Sequence, residues 1–305
     1  MNRLTGAIFV IISAASFGSL AIFGRLAYAA GLDTFTLLFL RFTLAALLIG
    51  ALQAWRGERI PGGRQLAALV GMGAVGYVGQ SFAYLTAIRY ASAGLVALLL
   101  YLYPAIVALL SALFLGQRLT RLKLAALGLA TLGAGLTANP QGGQWTGVLL
   151  AVSAAAIYAV YIVVGAGVMR QVSAIQSSTV IFAAAGLVYG LAAALNGPRW
   201  PAAPGGWLAV AGIVLLATVI PVTTFLAGLK RIGPTDASLL STLEPVVTVL
   251  LAAAVFGERL PLLSLLGGGL ILAAVALLTH AELRAGRSDA APPPAPAPGR
   301  GLPPG

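Results

Sequence analysis

The side chains in this sequence that can do chemistry are few and unevenly placed. Glu244 lies with Ser241, Pro245 and Thr248 in an otherwise apolar run, and Arg41 stands alone in another. A carboxylate in such surroundings can exchange a proton, anchor an ammonium group, or hydrogen-bond beside a helix break, and low-dielectric surroundings penalise its charged form. Arg41 can hold a carboxylate through two parallel bonds or run its stem back to a polar interface. Tyrosines supply the rest. Tyr77, Gln80 and Tyr84 follow i, i+3, i+7 spacing and share a helix face. Tyr158 and Tyr161 share another, and Tyr101 and Tyr103 precede Pro104. Aromatic walls with a few polar anchors suit a small-molecule pocket. A tyrosine face attracts an ammonium by about 0.5–2 kcal/mol. The competing reading is that these rings pack against neighbouring helices.

Other chemistries lack their residues. There is no Cys, so no disulfide, thiolate site or Cys nucleophile can form. The single His, His280, supports neither a zinc cluster nor a Ser-His-Asp set. No Gly-x4-Gly-Lys-[Ser/Thr] loop is present for nucleotide-driven pumping. An enzyme, a metal and a cofactor are therefore not expected.

The elements that must position these groups are long and apolar. Of 305 residues, 60% are hydrophobic and 8% charged, against roughly 25% charged in a soluble domain. Mean hydropathy is +0.99. Apolar runs near the length that crosses a bilayer recur along the chain: 5–28, 34–54, 65–87, 91–115, 121–138, 146–168, 175–195, 206–229, 235–256 and 261–280. Within these spans Arg41 and Glu244 are the only clearly intramembrane charges. Arg3, Ala27-Tyr28-Ala29 and the run between them resemble a cleavable signal, but the segment has a counterpart later in the chain and reads as a retained helix. Pro104, Pro221 and Pro245 fall inside spans and are expected to kink them. Residues 281–305 carry seven prolines from Pro292 to Pro304 and read as a disordered tail.

The net charge of +11 would suggest nucleic acid in a soluble protein. Here basic loops explain it. With the N-terminus inside, thirteen of the 18 basic residues fall in cytoplasmic segments, four on the opposite side, and Arg41 within a span. That bias places both termini in the cytoplasm. The four tryptophans, Trp55, Trp145, Trp200 and Trp207, fall near the interfaces.

The chain also repeats itself. At an offset of 141, Thr5-Gly6 falls on Thr146-Gly147, Gly24 on Gly165, Arg89 on Lys230, Pro104 on Pro245, Gly116 on Gly257, Arg118-Leu119 on Arg259-Leu260, and Gly128 on Gly269. Residues 5–139 and 146–280 are thus two copies of one unit. Five spans per copy make the second enter the membrane inverted, the arrangement of many secondary transporters. The predicted fold is an all-α polytopic membrane protein of ten transmembrane helices in two inverted five-helix repeats.

Arg41-Phe42, the stretch from Tyr103-Pro104 to Gly116-Gln117-Arg118-Leu119, and that from Glu244-Pro245 to Gly257-Glu258-Arg259-Leu260 resemble the EamA-type group of the drug/metabolite transporter superfamily. The resemblance covers residues 5–280. It implies spans 1–4 and 6–9 around a central cavity, with spans 5 and 10 outside. Those two are nearly free of polar side chains but carry Gly128, Gly133, Gly135 and Gly267-Gly268-Gly269, which suits close packing and a homodimer contact; a monomer is the alternative. The resemblance also implies export of small metabolites across the cytoplasmic (inner) membrane by alternating access. Amino acids, bulky and aromatic ones included, fit the residues best, as in the YddG-like exporters. The alternative cargo is a nucleoside, a sugar or a lipophilic cation, with proton coupling through Glu244 open. The expected partners are a small-molecule substrate and the lipid bilayer. A purely structural or receptor protein is the remaining rival.

Overall fold

The computed structural model describes residues 3–87, 90, 99–116, 119–137, 145–168, 170–257 and 262–289. Every regular element among them is helical. Six helices among the described residues are long and apolar enough to cross a membrane, and Tyr103–Leu115 and Leu265–Ala274 are shorter apolar ones. The first half of span 4 (91–98), Arg118, Arg259 and the tail from 290 lie outside the described residues.

The first span is α1 (Arg3–Phe17) and α2 (Leu20–Ala29), broken at Gly18-Ser19, where one continuous helix was expected. Next comes α3 (Thr34–Trp55), then α4 (Gly63–Gly71), which passes through a π-helical turn (Met72–Tyr77) into α5 (Val78–Ala87). They are followed by α6 (Tyr103–Leu115) and α7 (Arg121–Thr137). The second half begins with α8 (Trp145–Val168) and α9 (Ala174–Asn196). Then α10 (Pro204–Val214) passes through a second π-helical turn (Leu215–Val219) into α11 (Ile220–Ile232). The stretch expected as the ninth span is three pieces: α12 (Pro234–Leu240), a 3-10 turn (Ser241–Leu243) and α13 (Glu244–Phe256). The last helix, α14 (Leu262–Asp289), runs to Asp289 instead of ending at 280, so the tail starts later than expected.

Helix bounds recur at the sequence offset of 141: Tyr103–Leu115 falls on Glu244–Phe256, and the start of α7 at Arg121 falls on the start of α14 at Leu262. Both α6 and α13 end on a left-handed glycine, Gly116 at φ 63° and Gly257 at φ 65°, a conformation that costs a side chain and suits glycine.

Capping residues set the direction of α3 and α9. Asp33 caps α3, accepting from the backbone N–H of Phe35 at 2.9 Å and Thr36 at 3.0 Å. Its other oxygen accepts from the Arg199 backbone N–H, just past the end of α9, at 3.0 Å. At the far end Ser173 caps α9 in a reciprocal box with Gln176. The Ser173 hydroxyl donates to Glu58, just past the end of α3, at 2.6 Å. The two helices therefore run antiparallel. Burial pushes the Asp33 carboxyl up, but hydrogen bonds from Thr36, Arg199 and Phe35 outweigh it and hold the group below the usual carboxylate range.

Small residues let the remaining helices meet closely. A Cβ on Gly228 of α11 would lie 2.5 Å from Val10 and 2.8 Å from the Gly6 carbonyl of α1. One on Gly133 of α7 would lie 2.6 Å from the Gly267 carbonyl of α14. Lipid tails provide no hydrophobic drive between apolar helices, so such van der Waals contact carries their association. Of the glycines expected to pack, Gly133 meets Gly267 closely, whereas Gly128 and Gly269 have nothing within 4 Å of an added Cβ.

Candidate functional site

Ring contacts gather most of the tyrosines named from sequence into one chain. From Phe42 of α3 the contacts run to Tyr77 (centroids 5.1 Å apart), on to Tyr161 (5.6 Å), Tyr158 (6.0 Å), Tyr103 (4.8 Å) and Tyr101 (6.3 Å). Tyr189 of α9 stacks on Phe42 at 5.8 Å. Most pairs are edge-on or tilted, geometries that place ring edges against π-faces. Tyr77 and Tyr161 share α4–α5 and α8 contacts because Gly76 leaves room: a Cβ there would lie 3.3 Å from the Tyr161 ring. Tyr161 is buried and its hydroxyl has no hydrogen-bond partner among the described residues. Tyr103 donates to the Ser238 carbonyl at 3.4 Å. Ser241 donates to the Ala237 carbonyl at 2.9 Å. Tyr84 stands apart, against Ala87, Ala151, Leu99 and Leu150. Gln80 lies half-buried and accepts from Ser81 at 3.4 Å.

Glu244 is half-buried and is the first residue of α13. It lies within electrostatic reach of Arg41 and of Tyr77, Tyr84, Tyr101, Tyr103 and Tyr158. A helix N-terminus carries partial positive charge and favours an acid there. Pro104 and Pro245, expected to kink their spans, each sit in the first turn of the helix that follows a break, Pro104 in α6 and Pro245 in α13. A proline lacks an N–H, which no first-turn residue needs. Pro221 likewise opens α11 directly after the π-helical turn, and its carbonyl accepts from Ser13 at 2.7 Å. The break in the first span meets the break in the ninth: Thr248 donates within 3.0 Å of the Gly18 carbonyl.

Arg41 does not reach for an interface. It is 6% exposed. Its Nε donates to the Thr218 hydroxyl at 2.7 Å and its Nη2 to the Ala217 carbonyl at 3.0 Å, with Cζ 5.0 Å from the Phe42 ring centroid. Both acceptors belong to the second π-helical turn, where the widened ladder leaves a carbonyl available. Arg41 and Glu244 make no ion pair with each other or with another described residue.

One charged group was missed. Asp236 of α12 is fully buried and ion-paired to Arg3 at 2.9 Å and to Lys123, so Arg41 and Glu244 are not the only charges inside the helical body. Its position beside a predicted loop hid it; the neighbouring Gly233-Pro234 turn was the available signal. No group of three His, Cys, Asp or Glu among the described residues suits a metal.

Comparison with known proteins agrees with this architecture. Residues 4–139 and 145–280 each match the model of the EamA-like transporter family. An uncharacterized transporter of Archaeoglobus fulgidus is 30% identical over 268 residues, covering 87% of this chain and 93% of its own. The uncharacterized inner membrane transporter YedA of Escherichia coli (strain K12) is 28% identical over 250 residues, 78% of this chain and 79% of its own. A solved crystal structure, 23% identical, superposes with a TM-score of 0.79 over 92% of this chain and 98% of that one, and so shares the fold. The chain is an all-helical, multi-pass membrane protein and belongs to the EamA-like transporter family, in the drug/metabolite transporter superfamily.

Proposed function

We propose that this transporter exports small zwitterionic metabolites, amino acids foremost and bulky or aromatic ones among them, by alternating access between two inverted five-helix copies. The observation that carries the reading is the pair Arg41 and Glu244: opposite charges inside the helical body, each lacking an ion-pair partner among the described residues, with Tyr77 within electrostatic reach of both. A charge in the bilayer is costly, by about 2.5–3.5 kcal/mol on insertion scales, and Arg41 is met only by neutral groups. An amino acid would supply both partners at once, its carboxylate at Arg41 and its ammonium at Glu244. The ring chain from Tyr77 to Tyr101 would take an apolar or aromatic side chain. The YddG-like exporters handle cargo of this class.

Inversion is supported by the antiparallel run of α3 and α9, which correspond in the two copies. Helix starts at Tyr103 and Glu244, equivalent residues, fit the broken helices that face substrate in such transporters. Both termini would lie in the cytoplasm, in the inner membrane, and α7 with α14 would offer a dimer face. A lipophilic cation would use Glu244 and the rings but leave Arg41 without a role. Counterflow in proteoliposomes, with labelled amino acids, nucleosides and sugars, tests the assignment. Exchange of amino acids is the expected result; exchange of none removes it.

A further inference from the structure

The short helix α12 is wedged into the helical body: every residue from Pro234 to Leu240 is buried. It has a turn at each end where the backbone can pivot, Gly233 at φ 84° before it and the 3-10 turn Ser241–Leu243 after it. On its inner side the Ser238 carbonyl accepts from Tyr103, so the segment touches the ring chain. On its outer side Asp236, with no exposed surface, is held by Arg3 from the start of α1 and Lys123 from the start of α7. Those three groups join elements far apart in sequence, and each belongs to a different helix.

We infer that the Asp236 ion pairs latch α12 as a plug over the end of the transport route that carries Arg3. The inference rests on the transport reading for its purpose and on these contacts for its mechanism. A buried ion pair contributes little net stability while both charges stay together, but removing one partner leaves an uncompensated charge. Here the carboxylate is fully buried while Arg3 and Lys123 stay partly exposed, so the latch has two states: Asp236 paired and out of water when the plug is seated, or hydrated when it lifts. Moving Asp236 into water recovers the hydration of its carboxylate, which offsets the loss of the two ion pairs and lets the closed and open arrangements lie close in free energy. The plug moves between two pivots and the rest of the body stays packed.

The chain has no cysteine, so a single Ser241→Cys reports access behind α12. The purified full-length protein in proteoliposomes is labelled with a charged, membrane-impermeant maleimide, from each side in turn. Asp236→Asn is expected to raise the labelling rate from the Arg3 end by about fivefold or more through the shifted closed-to-open population, with the rate from the other end unchanged or lower. Lys123→Gln, which keeps the Arg3 pair and the fold, is expected to give a smaller rise from that end. Rates within twofold of the parent for both variants, or equal rises from both ends, overturn the latch. If Asp236→Asn does not fold, Lys123→Gln alone decides between these outcomes. Labelling requires no substrate. A one-sided rise without amino-acid counterflow leaves the latch standing and removes the substrate reading, and counterflow with unmoved labelling does the converse.

Discussion

Arg41 and Thr218 are joined across the two halves of the chain, guanidinium Nε to hydroxyl at 2.7 Å. Thr218 in turn donates to the Ile213 carbonyl at 2.8 Å, so its lone pairs face the guanidinium. This fixes the fork of Arg41 on a widened helical turn while leaving other donors for a ligand carboxylate. Thr218→Val removes the acceptor beside a buried cation, a loss of about 1.5 kcal/mol or more, equivalent to about tenfold in affinity. The half-saturation for amino-acid counterflow is expected to rise by about that factor. Thr218→Ser should restore it. Arg41→Lys should not, because an ammonium lacks the planar fork. Counterflow by Thr218→Val with an unchanged half-saturation would show that Arg41 is not positioned for substrate.

Glu244 distinguishes coupling from anchoring. Glu244→Gln keeps the shape and removes the titrating group. If the residue carries a coupled proton, flux driven by a pH gradient disappears while exchange persists. If it anchors the substrate ammonium, both fall together. Flux and exchange measured on the same vesicles separate the two, and no change in either would leave Glu244 a hydrogen-bonding group beside Pro245.

Gly228 is held by contact with α1. A valine there must displace Val10 and the Gly6 backbone, and overpacking of this kind costs about 1–3 kcal/mol. Gly228→Val should lower the thermal midpoint and the folded yield in detergent. Gly24→Ala, with nothing within 4 Å of the new Cβ, should leave both unchanged or raise the midpoint, because alanine favours helix by up to about 1 kcal/mol.

Asp33 gives the stability an acid limb. Its folded carboxyl lies below the usual range, so the stability it contributes is complete above the unfolded value of about 3.9 and is lost as pH falls through the lower folded value. Asp33→Ala should cost about 1 kcal/mol at pH 7 through the lost cap and should flatten that part of the acid limb. A thermal midpoint measured from pH 7 to pH 2 checks it; parallel curves for the two proteins below about pH 4 would contradict the assignment.

Much of this architecture was legible because apolar length is a strong signal. The span expected at 34–54 is the helix Thr34–Trp55, bounded by Asp33 before it and Arg56-Gly57 after it. The offset of 141 recurs in the helix bounds. What was not legible depends on contacts between distant segments. Gly18-Ser19 is a weak break signal that the unbroken apolar run on either side outweighed; the contact of Thr248 with the Gly18 carbonyl appears only in the fold. The π-helical turns leave no compositional mark, so the partner of Arg41 was hidden. Pro104 and Pro245 were legible as sites of helix interruption, but that each opens the helix after the break was not, because apolar residues continue on both sides. For Asp236, both cations come from other helices, and pairing across the fold cannot be read along one chain.

The central claim is that two copies of one unit face opposite ways and enclose the route. The most direct measurement is side-specific maleimide labelling of Arg59→Cys and Arg199→Cys, placed singly in the cysteine-free chain, in the loops after α3 and α9. Labelling from opposite sides of the membrane is the result this account predicts. Labelling of both from the same side would contradict it.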